Sequence, residues 1–193
     1  DRSRGLGDVY KRQLLNKISY PKLKDPFPSK KQMDLAYRAA FRAPDHGWLR
    51  PWRFIEVTNS GREKLGKAFK NAALKNGEHD NEKLLKFERL PLRAPMVIVL
   101  ITEFNENSKI PAIEQIQSTA VAAQNISLAL FDMGYGVYWR TGSFVTSKNS
   151  YLNDELSLKK NNEIIGYLYV GSPDIKGKEI PSLKKEDFVN YWK

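Results

Sequence analysis

Cysteine is absent from this 193-residue chain. Disulfides, thiolate catalysis and the usual structural zinc sites are excluded with it. Histidine is scarce, with two residues, so a metal centre is not expected. No apolar signal-peptide core and no transit-peptide character opens the chain. The lack of a disulfide framework is compatible with the cytosol, and a cytoplasmic protein is the expectation. Acidic residues are in short supply: 22 against 32 Lys and Arg, a net charge of +10. The cations are scattered rather than blocked, and no nucleic-acid motif accompanies them. A lysine-coated surface is the ordinary reading of that excess, and attraction of a small phosphorylated ligand is the functional one. Also missing are a G-x-S-x-G elbow, a phosphate-loop lysine motif and a glycosidase-like carboxylate pair. "GYG" at 134–136 lacks the third glycine of a dinucleotide fingerprint.

What remains is an ordinary globular composition, 41% hydrophobic and 28% charged, long enough for one domain with a substantial core. The first dozen residues, "DRSRGLGDVYKR", read as translated cloning or adapter sequence, or a disordered tail, and are set aside. Residues 13–193 are taken as one domain. Leu14 and Leu15 end a first helix. Ser29 and Gln32 form a capping box for a second, whose apolar face is Met33, Ala36, Tyr37, Ala40 and Phe41. "RFIEVT" is a strand, and Ser60 with Glu63 suggests another capping box before a stripe of Leu65, Phe69, Ala72 and Ala73. "DNEKLLKFERL" is a further helix. "MVIVLITEF" (96–104), apolar on both faces, is a central strand.

Residues 111–133 form a long helix between Pro111 and Gly134. It has the length of a membrane span. Gln115, Gln117, Gln124 and Asn125 argue against one, and the segment reads as a helix buried on most sides, central or at a subunit interface. "YGVYWR" and "EIIGYLYVGSP" are two more strands. The closing "EDFVNYW" carries three aromatics on a tail too short to bury them itself. The mixture is α+β: helices layered on a mixed, mostly antiparallel sheet, with a long central helix.

Three small groups invite a chemical reading. Lys17 and Ser19 place a cation and a hydroxyl side by side. Arg42 and His46 flank Ala-Pro-Asp in "RAPDHGWLRPWRF", a loop unusually dense in aromatic and ionisable groups. Trp139, Arg140 and Thr141 end a strand. Singly, each has an ordinary structural explanation: a solvated lysine, an arginine at a helix end, an edge aromatic. Together they bring cations and hydroxyls beside aromatic surface, as a planar anionic ligand requires.

These segments resemble the FMN-dependent nitroreductase family, most closely its small YdjA-type branch of NAD(P)H nitroreductases. The carriers are "LLNKIS", "RAPDHGWLRPWRF" against a pattern near RAPDH-x4-PWxF, "APMVIVL", "YGVYWRTG" against Gly-x-x-W-R-S-G, and "IIGYLYVGSP". The resemblance runs from about Leu14 to Trp192. It implies a homodimer with FMN at the interface, reduced by NAD(P)H and oxidised in ping-pong fashion by a flat acceptor such as a nitroaromatic or quinone. It implies FMN contacts from Lys17, Ile18 and Ser19, from Arg42 and His46 across the interface, from Trp139, Arg140 and Thr141, and from Lys178 within the 176–180 stretch. Residues 129–134 match a nicotinamide-binding segment. No membrane or nucleic-acid partner and no catalytic acid or base is implied. Lys17 and Ile18 stand where the family has two arginines, so a bidentate phosphate fork becomes a point charge and an apolar residue. The competing reading is a basic, non-catalytic binding module for nucleic acid or an acidic partner, supported by the net charge alone.

Overall fold

The computed structural model describes residues 14–142, 150–175, 177 and 179–192. The 1–12 tail therefore lies outside the described residues.

The sheet is built on β3 (Met96–Glu103), in which seven consecutive residues from Met96 to Thr102 are buried. An apolar run this long has no solvent face to offer, so it takes neighbours on both edges. On one edge is β2 (Trp52–Thr58), on the other β5 (Asn162–Pro173), both antiparallel. Beyond β5 lies β4 (Gly136–Arg140), with the two-residue β1 (Leu23–Lys24) continuing the same edge opposite Ser172 and Pro173. Every ladder between these strands is antiparallel. Among the described residues, the one parallel pairing is an isolated bridge, Ser19 to Val137.

Helices cover both faces. On one face, α1 (Lys30–Ala40) and α4 (Ala112–Asp132) pack against Ile98, Leu100, Leu168 and Val170. On the other, α2 (Ser60–Lys75), α3 (Asn81–Arg89) and α5 (Ser150–Glu155) form a layer, with Leu65, Phe69 and Leu152 meeting Val97, Val99, Tyr167 and Tyr169. This is the α+β arrangement expected from the sequence.

The capping box at Ser29 and Gln32 is formed. The one expected at Ser60 is not. Asn59, at φ 49°, is the N-cap, so Ser60 is already the first helical residue and Glu63 sits one position too far along to reach back. Phe41 also departs from expectation. Helix α1 stops at Ala40, and Phe41 stays 54% exposed, its ring stacked on Tyr37 at 6.5 Å. Within one chain, helix α4 is covered along one side. Its covered residues (Gln115, Ser118, Thr119, Ala122, Ala123, Ile126, Ser127 and Leu130) form one stripe at helical spacing, while Ile113 and Val121 on its other side are exposed. Among the described residues, no helix is long and apolar enough to cross a membrane.

Candidate functional site

Lys17, Ile18 and Ser19 follow a helical turn at residues 14–16 and run alongside β4. Ser19 bridges Val137, and the Tyr20 amide donates to the Val137 carbonyl at 3.3 Å. This seats Ser19 on β4 two residues before Trp139, with Lys17 toward the Tyr135 end of the parallel register; Trp139 and Arg140 end the strand and Thr141 follows it. Lys17 is half-buried, and burial holds its pKa below the ordinary lysine value. A partly desolvated ammonium gains from an anion more than a solvated one does. Gly177 lies so close to Ile18 and Tyr20 that a side chain there would overlap them. The C-terminal stretch thus returns to the same place. Lys178, the expected phosphate contact, lies outside the described residues.

Trp139 and Arg140 project to opposite faces of the sheet, as successive strand residues must. Trp139 packs with the α1–α4 face. Its indole is accommodated by an irregularity in β5. Register slips between Leu100 and Ile101, leaving an extra residue at Ile165 next to Gly166. Gly166 has φ 154°, and a Cβ there would stand 2.4 Å from Trp139 Nε1. Arg140 turns to the other face, its guanidinium 5.4 Å from the Tyr138 ring centre and 5.6 Å from that of Tyr169. Its Nε is buried without a hydrogen-bond partner, as are the hydroxyls of Tyr167 and Tyr169. Burial pushes the Tyr169 phenol up to about 12, against the opposing pull of Arg140 and Arg93. Tyr167 is pushed well above its ordinary value by burial first and by Tyr169 second. Thr141 is exposed at the strand end.

The loop from Arg42 to Arg53 is the second candidate region. Three of its residues take left-handed backbone: Gly47 (φ 68°), Trp48 (φ 59°) and Arg50 (φ 48°). For Trp and Arg such conformations are costly and have to be held by their surroundings. Here the Arg50 amide donates to Asp45 Oδ2 at 2.8 Å, and the Arg50 guanidinium lies 5.6 Å from the Trp48 ring centre. Trp52 is buried and anchors the loop, whereas Trp48 is 80% exposed. A cleft of about 970 Å³ is lined by Arg42, Asp45, Trp48, Arg50, Trp52 and Arg53, among others. His46 Nδ1 is 2.6 Å from Glu114 Oε2, in the first turn of α4. The sequence reading did not single out Glu114. A carboxylate 68 positions away becomes a partner only once α4 is docked.

The two regions are far apart in one chain. Val137 aligns with Val170 and Met96, whereas Trp52 aligns with Thr102 and Glu163. The register therefore separates them by three strand spacings, ~14 Å, and by six residues along the strands, ~20 Å. Residues 129–134 are the last turn of α4 and its stop. Leu130 is buried, and its carbonyl accepts the Tyr135 amide at 2.9 Å. Their contacts are those of a helix end.

Residues 20–172 match the model of the nitroreductase family. The chain belongs to the nitroreductase family. The matched span includes Arg42, His46 and Trp139–Thr141, and excludes Lys17–Ser19 and Lys178. The chain is 31% identical over 163 residues to the provisionally named NAD(P)H nitroreductase YdjA of Escherichia coli (strain K12), covering 84% of this chain and 87% of that one. It is 32% identical over 180 residues to a provisionally named NAD(P)H nitroreductase of Haemophilus influenzae, covering 92% and 96%. Among solved structures, a nitroreductase-like family protein from Bacillus cereus superposes with a TM-score of 0.82 at 20% identity, over 97% of each chain. The FMN-dependent nitroreductase NfnB of Mycobacterium smegmatis, in complex with NADPH, superposes with a TM-score of 0.77 at 16% identity, over 98% of this chain and 100% of that one. At these identities the two structures speak for the fold.

Proposed function

We propose that this nitroreductase-family chain is an FMN-dependent NAD(P)H oxidoreductase, working as a homodimer with a flavin site at each side of the interface. The observation that carries the reading is the Ser19–Val137 bridge, which seats the N-terminal turn on β4, the strand that carries Trp139 and Arg140. The donor set suits FMN. Lys17 is half-buried, with no ion pair among the described residues, Ser19 and Thr141 are exposed, Trp139 offers a flat wall, and Arg140 has an orphaned Nε. The relatives' names point the same way: NAD(P)H for the two bacterial sequences, FMN with NADPH for the mycobacterial structure.

A shared site is supported by distance. If Arg42 and His46 meet the same flavin as Lys17, they do so from a neighbouring subunit, because within one chain they stand at opposite corners of the sheet. Uncovered apolar surface supports a partner as well: Ile113 and Val121 on α4, and Phe188, Tyr191 and Trp192 on the tail.

FMN, when bound, supplies the redox chemistry. The chain's part is to bind, orient and tune. Lys17 sets a charge at the phosphate, Ser19 and Thr141 offer hydroxyls to polar edges, and Trp139 walls one side. Each subunit would bring one flavin site, and no separate dinucleotide fold is present among the described residues. Nicotinamide and acceptor therefore use one face in turn, and nitroaromatics and quinones fit because they are flat.

The test is release of the chromophore from purified protein by heat, with identification by mass, followed by steady-state kinetics. FMN and parallel double-reciprocal lines are expected. Colourless protein that takes up no added FMN would overturn the reading, and intersecting lines would overturn the shared face.

A further inference from the structure

The contact between His46 and Glu114 does more than join a loop to a helix. Glu114 is in the first turn of α4, where any acidic residue is favourable. Its ordinary role would end there. Its carboxylate instead reaches out of the helix to the Nδ1 atom of His46, at 2.6 Å.

The position of Glu114 is closely controlled. The next residue, Gln115, is buried, donates its amide to the Ile110 carbonyl at 3.1 Å and accepts the Asn105 amide at 2.9 Å. That ties the 105–110 loop to the start of α4. Gly47, beside His46, sits against the Ile110 side chain so closely that an added Cβ would lie 2.5 Å from Ile110 Cδ1. Its φ of 68° is one that glycine takes at little cost. The loop and the helix start are thus held together on both sides of the ion pair.

A carboxylate can only accept a hydrogen bond, so the proton on this contact belongs to His46 Nδ1. Nε2 is then the ring nitrogen left to meet a ligand, and it acts as acceptor in the neutral ring and donor in the cation. We infer that Glu114 is a positioning residue, which fixes the tautomer and direction of the His46 ring so that Nε2 faces the bound flavin nucleotide. This rests on the FMN reading above, and it adds a residue that touches no ligand itself.

The experiment has two readouts. In FMN-free protein, ¹⁵N NMR of the histidine side chains reports where the ring proton sits. Wild-type His46 is expected to be protonated at Nδ1 near neutral pH, and Glu114→Ala to shift the ring toward the Nε2-protonated form usual for free imidazole. FMN titration of wild type, Glu114→Ala, His46→Ala and the double variant then measures coupling. Both side chains are partly exposed, so Glu114→Ala should weaken FMN by about threefold to tenfold. In the His46→Ala background the same change should have no further effect. Glu114→Asp, which keeps the carboxylate on a shorter arm, should recover part of the Nδ1 signature. Additive losses, or an unchanged His46 tautomer in Glu114→Ala, would return Glu114 to a helix-end charge and overturn the inference. If wild type takes up no FMN, the functional reading falls and this inference with it. That outcome is distinct from one in which FMN binds and only the coupling is missing.

Discussion

The two faces of the sheet solve the same packing problem with different materials. Against α1 and α4, small residues (Ala36, Ala40, Ala122 and Ala123, with Ser118, Thr119 and Ser127) make much of the contact, beside Met33, Ile126 and Leu130. Each of these hydroxyls donates to a carbonyl four residues back, so the polar atoms are satisfied within the helix. Against α2 and α5 the fillers are large. Phe69 meets the edge of Tyr167 at 5.1 Å, with Tyr169 beyond, and the polar ends of both tyrosines are left without partners, as is Arg140 Nε. Native interiors leave few such atoms. The α1–α4 face leaves one such atom, the Tyr37 hydroxyl, whereas the α2–α5 face leaves several, and it ends at Arg140, one of the residues proposed to meet the flavin.

Substitutions should separate the faces by size of effect. Phe69→Ala should cost most, about 3–5 kcal/mol in urea unfolding, because the ring is fully buried and its neighbours belong to a sheet that cannot collapse into the hole. On the α1–α4 face the damage comes from excess. Ala122→Leu should cost about 1–3 kcal/mol by overpacking the seam between α4 and the sheet. If Ala122→Leu proved harmless while Phe69→Ala remained severe, the small-residue seam would be looser than its burial implies.

A third effect follows from the tyrosines and appears only at high pH. Tyr169 has its folded-state value raised to about 12 by burial, against an ordinary 10.0. Between these values the unfolded chain has released the proton and the folded chain retains it. Stability is therefore fully present below pH 10 and falls as pH climbs toward 12, by on the order of 2 kcal/mol. Tyr169→Phe should flatten that decline in alkaline unfolding curves. A decline of unaltered slope would mean that Tyr169 reaches solvent. The smallest effect is expected from Tyr167→Phe. Deleting a buried hydroxyl that bonds nothing should change stability by less than about 1 kcal/mol, and toward greater stability. A clear loss would reveal a partner for that hydroxyl and narrow the contrast between the faces.

Much of the architecture was readable because it is local. The run from Met96 to Thr102 announces a central strand by itself, and Ser29 with Gln32 is a cap within four residues. What escaped depends on distant chain. β1 is two residues paired with Ser172 and Pro173, and α5, at six residues, is too short for a long stripe to mark it. The Ser60 box failed because the strand enters the helix through a left-handed Asn59, which shifts the cap by one position. At the site, Arg42, His46 and Trp139–Thr141 were visible as types in a spaced pattern. Glu114 was not, since a single acid near a helix start looks like any other.

The bridge between Ser19 and Val137 has a consequence in time as well as space. These residues are more than a hundred positions apart, and β4 itself has no sheet to join until β5 has been made. During synthesis, Lys17 and Ser19 leave the ribosome well before β4 and β5 and wait for them before they have anything to lie against. Contacts of such long sequence separation are slow to close. The turn that would hold the phosphate is therefore among the last pieces to dock, and flavin uptake would mark the completion of folding.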